Sequence, residues 1–221
     1  MMSKKKVGVI LAGCGYLDGS EIQEVVLTLL SLDRAGISYE GISLNKGSYH
    51  AVNHITQENL QQNRNILEES ARIMRGQIID IEQANVSDYD GFIYPGGFGA
   101  AKNLFDFAIK YDASFSIDPS VFAFTKEAIL LKKPVGFICI SPMMIPKLYP
   151  EGVKMTIGDD INTSNIAIEL GANHIKCAAD EVCYDERYNV ISTPAYMLDS
   201  NINKVSKGID RLVKLLIDCM S

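Results

Sequence analysis

The sequence predicts a layered α/β fold, in which a mostly parallel sheet carries helices on both faces. Short apolar, partly β-branched runs alternate with segments of helical periodicity from one end of the chain to the other. Several of these short runs end in turns rich in glycine or proline, which is typical of strands that feed helices. We therefore expect each apolar run to be a buried strand and each periodic segment to be a covering helix.

Length and composition limit the domain count and the partners. With 221 residues, 47% of them hydrophobic, we expect one domain over residues 1–221. The net charge of −6 and the scattered basic residues argue against nucleic acid. No apolar stretch approaches the roughly 18 residues of a membrane span, so no membrane partner is expected. The five cysteines lack C-x-x-C spacing, which suits a reducing compartment, and we expect a cytoplasmic protein.

The first half of the chain begins with a strand over Val7–Ala12 and the glycine-rich turn GCGYLDGS. Ser20 and Gln23 have capping-box spacing, which predicts the start of a helix that ends at Gly36. The apolar stripe of this helix is Val25, Val26, Leu29, Leu30 and Leu32. The next predicted elements are a strand over Ile37–Leu44, a polar loop over 45–56, a helix over Glu58–Arg75, and strands over Gln77–Glu82 and Gly91–Tyr94.

The second half contains the sharpest helix signal, because Asp118 before Pro119 predicts an N-cap followed by the first helical residue. This helix leads into an apolar strand that starts at Pro134. The remaining predicted elements are a helix over Pro142–Leu148, a strand over Lys154–Ile157, a helix over Thr163–Leu170, a strand over His174–Cys177, a hairpin of Val182–Tyr184 with Val190–Thr193, and a helix over Leu198–Cys219.

Cys139 lies where the strand from Pro134 stops abruptly, and Pro142 fits the first turn of a following helix. Backbone N–H groups at a helix start favour the thiolate over the thiol. The position therefore predicts a nucleophile at neutral pH. The alternative is an inert buried cysteine, which is a common environment for this residue type.

Two other turns follow predicted strands and should meet Cys139 at the same edge of the sheet. In PGGFG, the N–H of Gly97 is expected to form one half of an oxyanion hole, and the N–H of Ile140 the other half. PGGFG matches neither phosphate-loop pattern, and its alternative interpretation is a tight turn. After the first strand, Glu21 and Glu24 each offer a carboxyl group that would carry protons if burial raised its pKa.

His50 and His54 have the i, i+4 spacing of two metal ligands on a helix. The surrounding residues are typical of a loop, and no third ligand is nearby in the sequence. We therefore expect no metal site. No histidine adjoins Cys139, so a Cys–His pair is not predicted there.

Three segments, VGVILAGCGYLDGSE, PGGFGAAKNL and GFICISPMMIPK, resemble the ThiJ/PfpI superfamily within the glutamine-amidotransferase-like fold. The segments NHIT, RNILEESARIMRG, TIGDDINT and ISTPAYM resemble its enhancing-lycopene-biosynthesis branch, also called sigma cross-reacting or isoprenoid biosynthesis proteins. The resemblance extends over about Lys6 to Leu216. It implies a flavodoxin-like three-layer sandwich, a nucleophile elbow at Cys139, an acidic residue matched by Glu21, and a homodimer. Aligning back from Ala35 and Gly36 would instead match Glu24 to the acid.

Members of that superfamily include cofactor-free glyoxalases or deglycases, peptidase-like proteins, chaperones and redox sensors, so the fold alone does not determine the function. This chain departs from two of these groups at specific residues, which narrows the choice of activity. Peptidase-like members have histidine after the cysteine, where this chain has Ile140. Glutaminases carry a late histidine and glutamate, where this chain has Thr193, Pro194 and Ala195.

We therefore expect a glyoxalase-like lyase that needs no cofactor. It would convert small α-oxoaldehydes such as methylglyoxal or glyoxal to hydroxy acids through a hemithioacetal on Cys139. Glu21 is the expected proton carrier. The alternative is a non-catalytic or redox-sensing regulator linked to isoprenoid biosynthesis, with Cys139 as the oxidised group. Further candidate residues of the pocket are Glu24, Asn53, His54, Arg64 and Lys102.

Overall fold

The computed structural model describes residues 5–198 and 200–220, and it has the predicted α/β architecture. The strands are β1 (Lys6–Leu11), β2 (Ser38–Ser43), β3 (Ala51–Val52), β4 (Asn59–Leu60), β5 (Ile78–Asp80), β6 (Gly91–Tyr94), β7 (Val135–Ile138), β8 (Lys154–Met155), β9 (Asn173–His174), β10 (Cys183–Asp185) and β11 (Val190–Thr193). The helices are α1 (Ile22–Arg34), α2 (Ile66–Met74), α3 (Ala100–Asn103), α4 (Phe107–Lys110), α5 (Pro119–Leu130), α6 (Ile145–Leu148), α7 (Ile161–Glu169) and α8 (Ile202–Asp218).

Seven strands form the main sheet in the order β10-β11-β7-β6-β1-β2-β5. All neighbours are parallel except β10 and β11, which form an antiparallel hairpin. Because β1, β6 and β7 are adjacent and parallel, the turns that follow them lie at one edge of the sheet. Two small sheets, β3-β4 and β8-β9, lie outside it.

Helices cover both faces of the sheet, as two consecutive residues of β6 show. Gly91 and Phe92 face opposite sides because side chains alternate along a strand. A Cβ on Gly91 would lie 3.2 Å from Leu216 of α8. The Phe92 ring instead contacts Phe124 of α5, with the ring centres 5.1 Å apart. The structure therefore has the predicted three-layer, flavodoxin-like arrangement.

The predicted helix over Glu58–Arg75 is wrong in its first half. Asn59–Leu60 pairs with Ala51–Val52 instead, and α2 starts at Ile66. Asn65 is the N-cap, since its side-chain oxygen accepts from the N–H groups of Leu67 and Glu68 at 2.9 and 3.2 Å. Strand pairing and this cap override the helical pattern of the preceding polar residues.

Helix α1 is capped by Glu21 rather than by Ser20. The Ser20 hydroxyl accepts from the N–H of Ala12 at 2.8 Å instead, which closes the turn after β1. The predicted apolar stripe is also partly wrong, because Val26 and Leu30 are 49% and 39% exposed. The buried face of α1 contains Glu24, a charged residue type.

After Cys139 the chain forms a short 3-10 turn over Ser141–Met144 before α6, so the predicted single helix is divided. The predicted strand over His174–Cys177 is shortened and displaced to Asn173–His174. The predicted last helix starts later, at Ile202, and position 199 within that prediction lies outside the described residues. Among the described residues, no helix has both the length and the apolar character to cross a membrane.

Candidate active site

Four turns converge at the carboxyl edge of the sheet, three of them as predicted. The turns after β1, β6 and β7 bring Glu21, Gly97 and Cys139 to one cavity. The fourth follows β11 and contributes Tyr196. Reasoning from the residues missed this fourth turn, because β11 was predicted only as one arm of a hairpin. The signal available was its apolar run VIST, which β7 binds in parallel register.

Cys139 occupies a sharp turn between β7 and the 3-10 turn that follows. Its φ is +64°, in the left-handed region that non-glycine residues seldom adopt. The residue is buried, and its N–H donates to the carbonyl oxygen of Thr193 at 2.9 Å. The Ser141 hydroxyl donates to the carbonyl oxygen of Pro95 at 2.8 Å, which ties this turn to the one after β6. These bonds hold the thiol in the nucleophile-elbow position that the sequence predicted.

Gly96 must be glycine because the backbone passes directly over the thiol. A Cβ at this position would lie 2.4 Å from the Cβ of Cys139 and 3.0 Å from Oε2 of Glu24. Its N–H donates to Oε2 of Glu24 at 2.8 Å. The absence of a side chain therefore allows a cysteine, a carboxyl group and a backbone donor to pack together.

Glu24 is the carboxyl group that lies against the thiol. Its side chain is fully buried and within hydrogen-bonding range of Cys139, and the N–H of Tyr196 donates to its Oε1 at 3.5 Å. Burial, and secondarily the charge of Glu21, raises the pKa of Glu24 to about 8. Glu24 therefore retains a proton near neutral pH, as the sequence analysis required of a proton-carrying carboxyl.

Glu21 was the predicted proton carrier, but the structure gives it a different position. Its side chain accepts from the N–H of Glu24 at 2.6 Å and caps α1, while its own N–H donates to the carbonyl oxygen of Gly96 at 2.9 Å. Glu21 lines the cavity, and burial raises the pKa of its carboxyl. The helix start is one residue later than predicted, and with Glu21 as the cap it is Glu24 that turns inward to the sulfur.

The thiol of Cys139 does not have the lowered pKa that the sequence predicted. Burial, and then the charge of Glu24, raises the pKa of this thiol well above its usual value. The N–H groups of Gly97 and Ile140 donate towards the sulfur and lower the pKa, but by less than burial raises it. The turn after Cys139 is short, and the lowering effect of its N–H groups on the pKa is smaller than the raising effect of burial. The side chain of Cys139 is therefore a thiol in the resting protein.

A cavity of about 230 Å³ opens above Cys139. Four of its nine lining residues are aromatic, and one is acidic. Gly97 and Ile140, whose N–H groups are the expected halves of an oxyanion hole, both line this cavity. The lining residues are Tyr16, Glu21, Gly97, Phe98, Tyr111, Cys139, Ile140, Tyr196 and Met197.

Asn53, His54 and Lys102, which were candidate pocket residues, do not line this cavity. The Asn53 side chain accepts from the N–H of Ile55 at 2.9 Å within its own turn. Nε2 of His54 accepts from the N–H of Leu17 at 3.3 Å, and the Lys102 ammonium donates to the carbonyl oxygen of Leu17 at 3.1 Å. The His54 and Lys102 side chains therefore support the turn after β1.

Arg64 and His50 belong to the same supporting group. Nη1 of Arg64 lies 3.6 Å from Oδ2 of Asp18, and Nε2 of His50 accepts from Lys102 at 3.0 Å. The paired histidines His50 and His54 thus bind neighbouring protein groups. Within residues 5–198 and 200–220, no cluster of three or more Cys, His, Asp or Glu side chains is arranged to hold a metal ion.

Comparisons with known proteins identify relatives over almost the whole chain. The ES1 protein homolog, mitochondrial, of Rattus norvegicus is 33% identical over 97% of this chain and 84% of its own length. The glutamine amidotransferase-like class 1 domain-containing protein 3, mitochondrial, of Homo sapiens is 32% identical over 96% of this chain and 82% of its own length. No family model matches the chain.

Solved structures give the same result. The isoprenoid biosynthesis protein with amidotransferase-like domain from Ehrlichia chaffeensis has a TM-score of 0.90 at 35% identity, over 97% of this chain and 99% of that one. Glyoxalase III from Candida albicans has a TM-score of 0.62 at 12% identity, over 98% of both chains, which is a likeness of fold. The suspected superfamily is thereby confirmed.

The prediction of a cytoplasmic protein is contradicted by these relatives. The rat and human proteins are both named as mitochondrial. The cysteine spacing that prompted the prediction indicates only a reducing environment, and it does not distinguish one such compartment from another.

Proposed function

The chain belongs to the ES1 family of glutamine amidotransferase-like class 1 proteins, and we propose that it is a cofactor-independent, glyoxalase-like enzyme for small α-oxoaldehydes. The observation that carries this proposal is the buried pair of Cys139 and Glu24 beneath a cavity of about 230 Å³. A nucleophile, a proton carrier with a pKa near neutrality and two N–H donors are the groups that the isomerisation needs.

The first step forms a bond between the Cys139 sulfur and the aldehyde carbon. The electron pair of the carbonyl moves to its oxygen, and the thiol proton is transferred to that oxygen, with Glu24 as the carrier. While the oxygen is negative, the N–H groups of Gly97 and Ile140 donate to it. The product is a neutral hemithioacetal. Since burial makes both thiol and carboxylate costly as free ions, proton transfer within the pair is favoured over release to solvent.

The second step moves a proton between the two carbons of the bound compound. The ionised fraction of Glu24 takes the proton from the former aldehyde carbon, which leaves an enediolate with its negative charge on the oxygen of the adjacent carbon. The hydroxyl proton of the former aldehyde carbon moves to that oxygen, Glu24 returns its proton to the adjacent carbon, and the former aldehyde carbon becomes a carbonyl. The result is a thioester of a 2-hydroxy acid. Water then adds to the thioester carbonyl, the carbon–sulfur bond breaks, the thiol regains a proton, and a hydroxy acid such as lactate leaves. The sum is addition of one water to the α-oxoaldehyde.

Two features support this function over ammonia release from glutamine. The position of the glutaminase histidine is occupied by the turn that contains Ala195 and Tyr196, whose N–H faces Glu24. The histidines His50, His54 and His174 all lie among the described residues, and none lines the cavity. Without an imidazole base, the buried thiol is better suited to adding to a reactive aldehyde than to an amide.

A parallel assay tests the proposal. Purified protein is incubated with methylglyoxal, with lactate as the readout, and separately with glutamine, with ammonia as the readout. We expect lactate and no ammonia, and a fall in lactate formation of at least about 1,000-fold in Cys139→Ala. Full activity in Cys139→Ala, or ammonia from glutamine, would contradict the mechanism. Cys177→Ala, at a buried cysteine outside the cavity, is the matched control.

A second hypothesis is a redox-sensing or ligand-binding regulator linked to isoprenoid metabolism, as the name of the Ehrlichia relative suggests. The raised pKa of the Cys139 thiol favours the ligand-binding form of this hypothesis, since a protonated thiol is a weak nucleophile and is also oxidised slowly. Oxidation of Cys139 to sulfinic acid by peroxide, without turnover in the parallel assay, would select the sensor.

We also propose that the protein is a homodimer. Helix α1 carries Ile22, Val26 and Leu30 at i, i+4 spacing, and each is about half exposed. Such a stripe on a helix next to the cavity suits association with a second copy. Sedimentation velocity of the wild type measures this directly, and a monomer at all concentrations would contradict it.

A further inference from the structure

The walls of the Cys139 cavity are aromatic and acidic. Tyr16, Phe98, Tyr111 and Tyr196 contribute rings, and Glu21 contributes a carboxyl group. No lysine, arginine or histidine is among the lining residues. This composition differs from the surface elsewhere, since the chain as a whole contains 21 Lys and Arg.

Three of these rings are exposed to solvent although they are large and partly apolar. Tyr16, Phe98 and Tyr111 are 41%, 45% and 56% exposed, and all three belong to one cavity. Large aromatic side chains that cluster at a concave site indicate a surface that a ligand covers. The rings are therefore available to contact a bound molecule.

Glu21 forms no salt bridge with any residue among those that the structure describes. Its carboxyl accepts the N–H of Glu24 at 2.6 Å, and its burial is partial. This carboxyl has a backbone donor as the cap of α1, and a cationic group of a bound molecule would add an ion pair to it. Glu24 lies outside the lining of this cavity, so among the described residues Glu21 is the one acidic residue that lines it, and no basic residue does.

The Lys102 ammonium does not fill this role. It lies 5.7 Å from the centre of the Phe98 ring, but it donates to the carbonyl oxygen of Leu17 and to His50, at 3.1 and 3.0 Å. It does not line the cavity. Within residues 5–198 and 200–220, no cationic side chain forms an ion pair with the carboxyl of Glu21.

We propose that the cavity selects small carbonyl compounds that carry a positively charged ammonium group. The faces of aromatic rings attract cations, and quaternary ammonium groups are bound by such rings in many proteins. The rings of Tyr16, Phe98, Tyr111 and Tyr196 would surround the charged group, Glu21 would neutralise it, and the carbonyl carbon would lie at Cys139. The carbonyl part rests on the proposed function, whereas the selection of positive charge does not.

Two other ligand classes fit less well. A phosphorylated or carboxylated aldehyde would bring a negative charge to a cavity that is lined by the carboxyl group of Glu21 and by no cationic residue. A neutral apolar aldehyde would contact the rings, but it would cover the Glu21 carboxyl without giving it a cationic partner. The positive class alone satisfies both the rings and the carboxyl.

The test compares two molecules of nearly the same shape, choline and 3,3-dimethylbutan-1-ol, which differ in having a cationic nitrogen or a neutral carbon at the branch. Their dissociation constants are measured by NMR titration of the full chain. We expect choline to bind about tenfold more tightly, the range of a cation–aromatic contact assisted by a carboxylate. Equal binding, tighter binding of the neutral alcohol, or no binding of either molecule would overturn the proposal.

Two variants locate the preference in the cavity. Glu21→Gln keeps an oxygen for the N–H of Glu24 and removes the charge, and Phe98→Leu keeps apolar volume and removes the ring. Each should reduce the preference for choline several-fold.

The matched controls are Asp160→Asn and Phe122→Leu, which should leave the preference unchanged. Asp160 is also a helix-capping carboxylate, which accepts from the N–H of Thr163 at 2.7 Å, and Phe122 is 41% exposed. Neither residue lines the cavity. An equal loss in the control variants would overturn the assignment to this site.

The outcome is separable from that of the proposed function, because choline has no carbonyl group and its binding requires no reaction at Cys139. Preference for choline in a protein that forms no lactate from methylglyoxal would contradict the glyoxalase function and keep the charge selection. Lactate formation without preference for choline would do the reverse. Repeating the titration with Cys139→Ala should give the same preference as the wild type.

Discussion

The turn after β1, Gly13–Ser20, separates two groups of charged side chains that differ in how they are paired. On its outer side, Oδ2 of Asp18 accepts from the N–H of Val52 at 2.7 Å and lies 3.6 Å from Arg64. On its inner side, Glu21 and Glu24 have no cationic partner among the described residues. Both groups lie at the carboxyl edge of the sheet, so position alone does not distinguish them.

The two groups differ in whether their side chains are bound to other protein groups or packed against the thiol. Outer-side groups are engaged with backbone and with one another, and their interactions hold the turn in place. The inner-side carboxyl of Glu24 is instead packed against a thiol, and burial raises the pKa of both. A buried acid without a counter-charge retains a proton that it can transfer. The outer side thus provides structural support, and we propose that the inner side transfers protons.

The largest expected effect is on turnover in Glu24→Gln. The amide keeps an oxygen for the N–H of Gly96 but cannot exchange a proton, so we expect kcat with methylglyoxal to fall about 100- to 10,000-fold. In the wild type, kcat should rise with pH, reach half of its maximum near the pKa of about 8 and level off above it, because the ionised form is the base. Steady-state kinetics between pH 6 and pH 9 measures both expectations.

Glu21→Gln is the matched control for this experiment, since it alters the neighbouring carboxyl that the sequence alone favoured. We expect a change in kcat for methylglyoxal of less than about tenfold, because Glu21 caps α1 and does not hold the proton. If Glu21→Gln is the more damaging of the two variants, the assignment of Glu24 is wrong.

A second expected effect concerns stability and pH. Glu24 has a pKa of about 8 when folded and near 4.5 when unfolded, so the folded protein binds more protons between these values. Its contribution is fully present below about pH 4.5 and is lost as the pH rises through about 8. Up to about 5 kcal/mol of unfolding free energy depends on it, at about 1.4 kcal/mol per pKa unit.

Urea unfolding at about pH 5 and pH 8.5 measures this effect in the wild type and in Glu24→Gln. The variant lacks the titrating group, so its stability should fall less over this range, and it should be the more stable protein at the higher pH. If the free energy of unfolding changed equally with pH in the two proteins, the pKa of Glu24 would be the same in the folded and unfolded states, which would contradict this prediction.

For substitutions on the outer side we expect smaller effects, and we expect them on stability and not on turnover. Asp18→Asn removes the charge that Arg64 faces while keeping an acceptor for Val52, so it should destabilise the protein by about 1–3 kcal/mol. Turnover per folded molecule should change by less than about tenfold. Urea unfolding together with kcat separates the two quantities, and a large loss of kcat at unchanged stability would place Asp18 in the reaction.

The smallest expected effect is that of His54→Ala. His54 is partly exposed, and it accepts from the N–H of Leu17 without lining the cavity. We expect a destabilisation of less than about 1 kcal/mol and an unchanged KM. A several-fold increase in KM would mean that this side chain contacts the substrate after all.

Much of the fold could be predicted because its signals are local. The buried runs gave the strands at Lys6–Leu11 and Val135–Ile138, and Asp118 with Pro119 marked the start of α5. The elbow at Cys139 was also predictable, since a strand must end where a proline begins the next turn. These features need only neighbouring residues to specify them.

The identity of the inner carboxyl could not be predicted in the same way. Glu21 and Glu24 lie one helical turn apart, and a shift of the cap by one residue changes which of them faces the sheet. The buried positions Glu24, Thr28 and Ser31 of α1 are polar residue types, whereas Val26 and Leu30 are exposed. Val25 and Leu32 of the predicted stripe are buried as well, so the hydrophobic pattern indicates the buried face of this helix only in part. The packing against Gly96 and Cys139 determines that Glu24 lies on that face.

The pKa of Glu24 in the folded wild-type protein tests most simply whether Glu24 and Cys139 exchange a proton. Carbon-13 labelling of glutamate side chains allows its carboxyl to be titrated by NMR, with Glu24→Gln to assign the resonance. We expect a midpoint near 8, and a shift of that midpoint in Cys139→Ala, because the thiol is its immediate neighbour. A midpoint near 4.5 would show an ordinary surface-like carboxylate, and it would contradict the proposal that Glu24 and Cys139 exchange a proton.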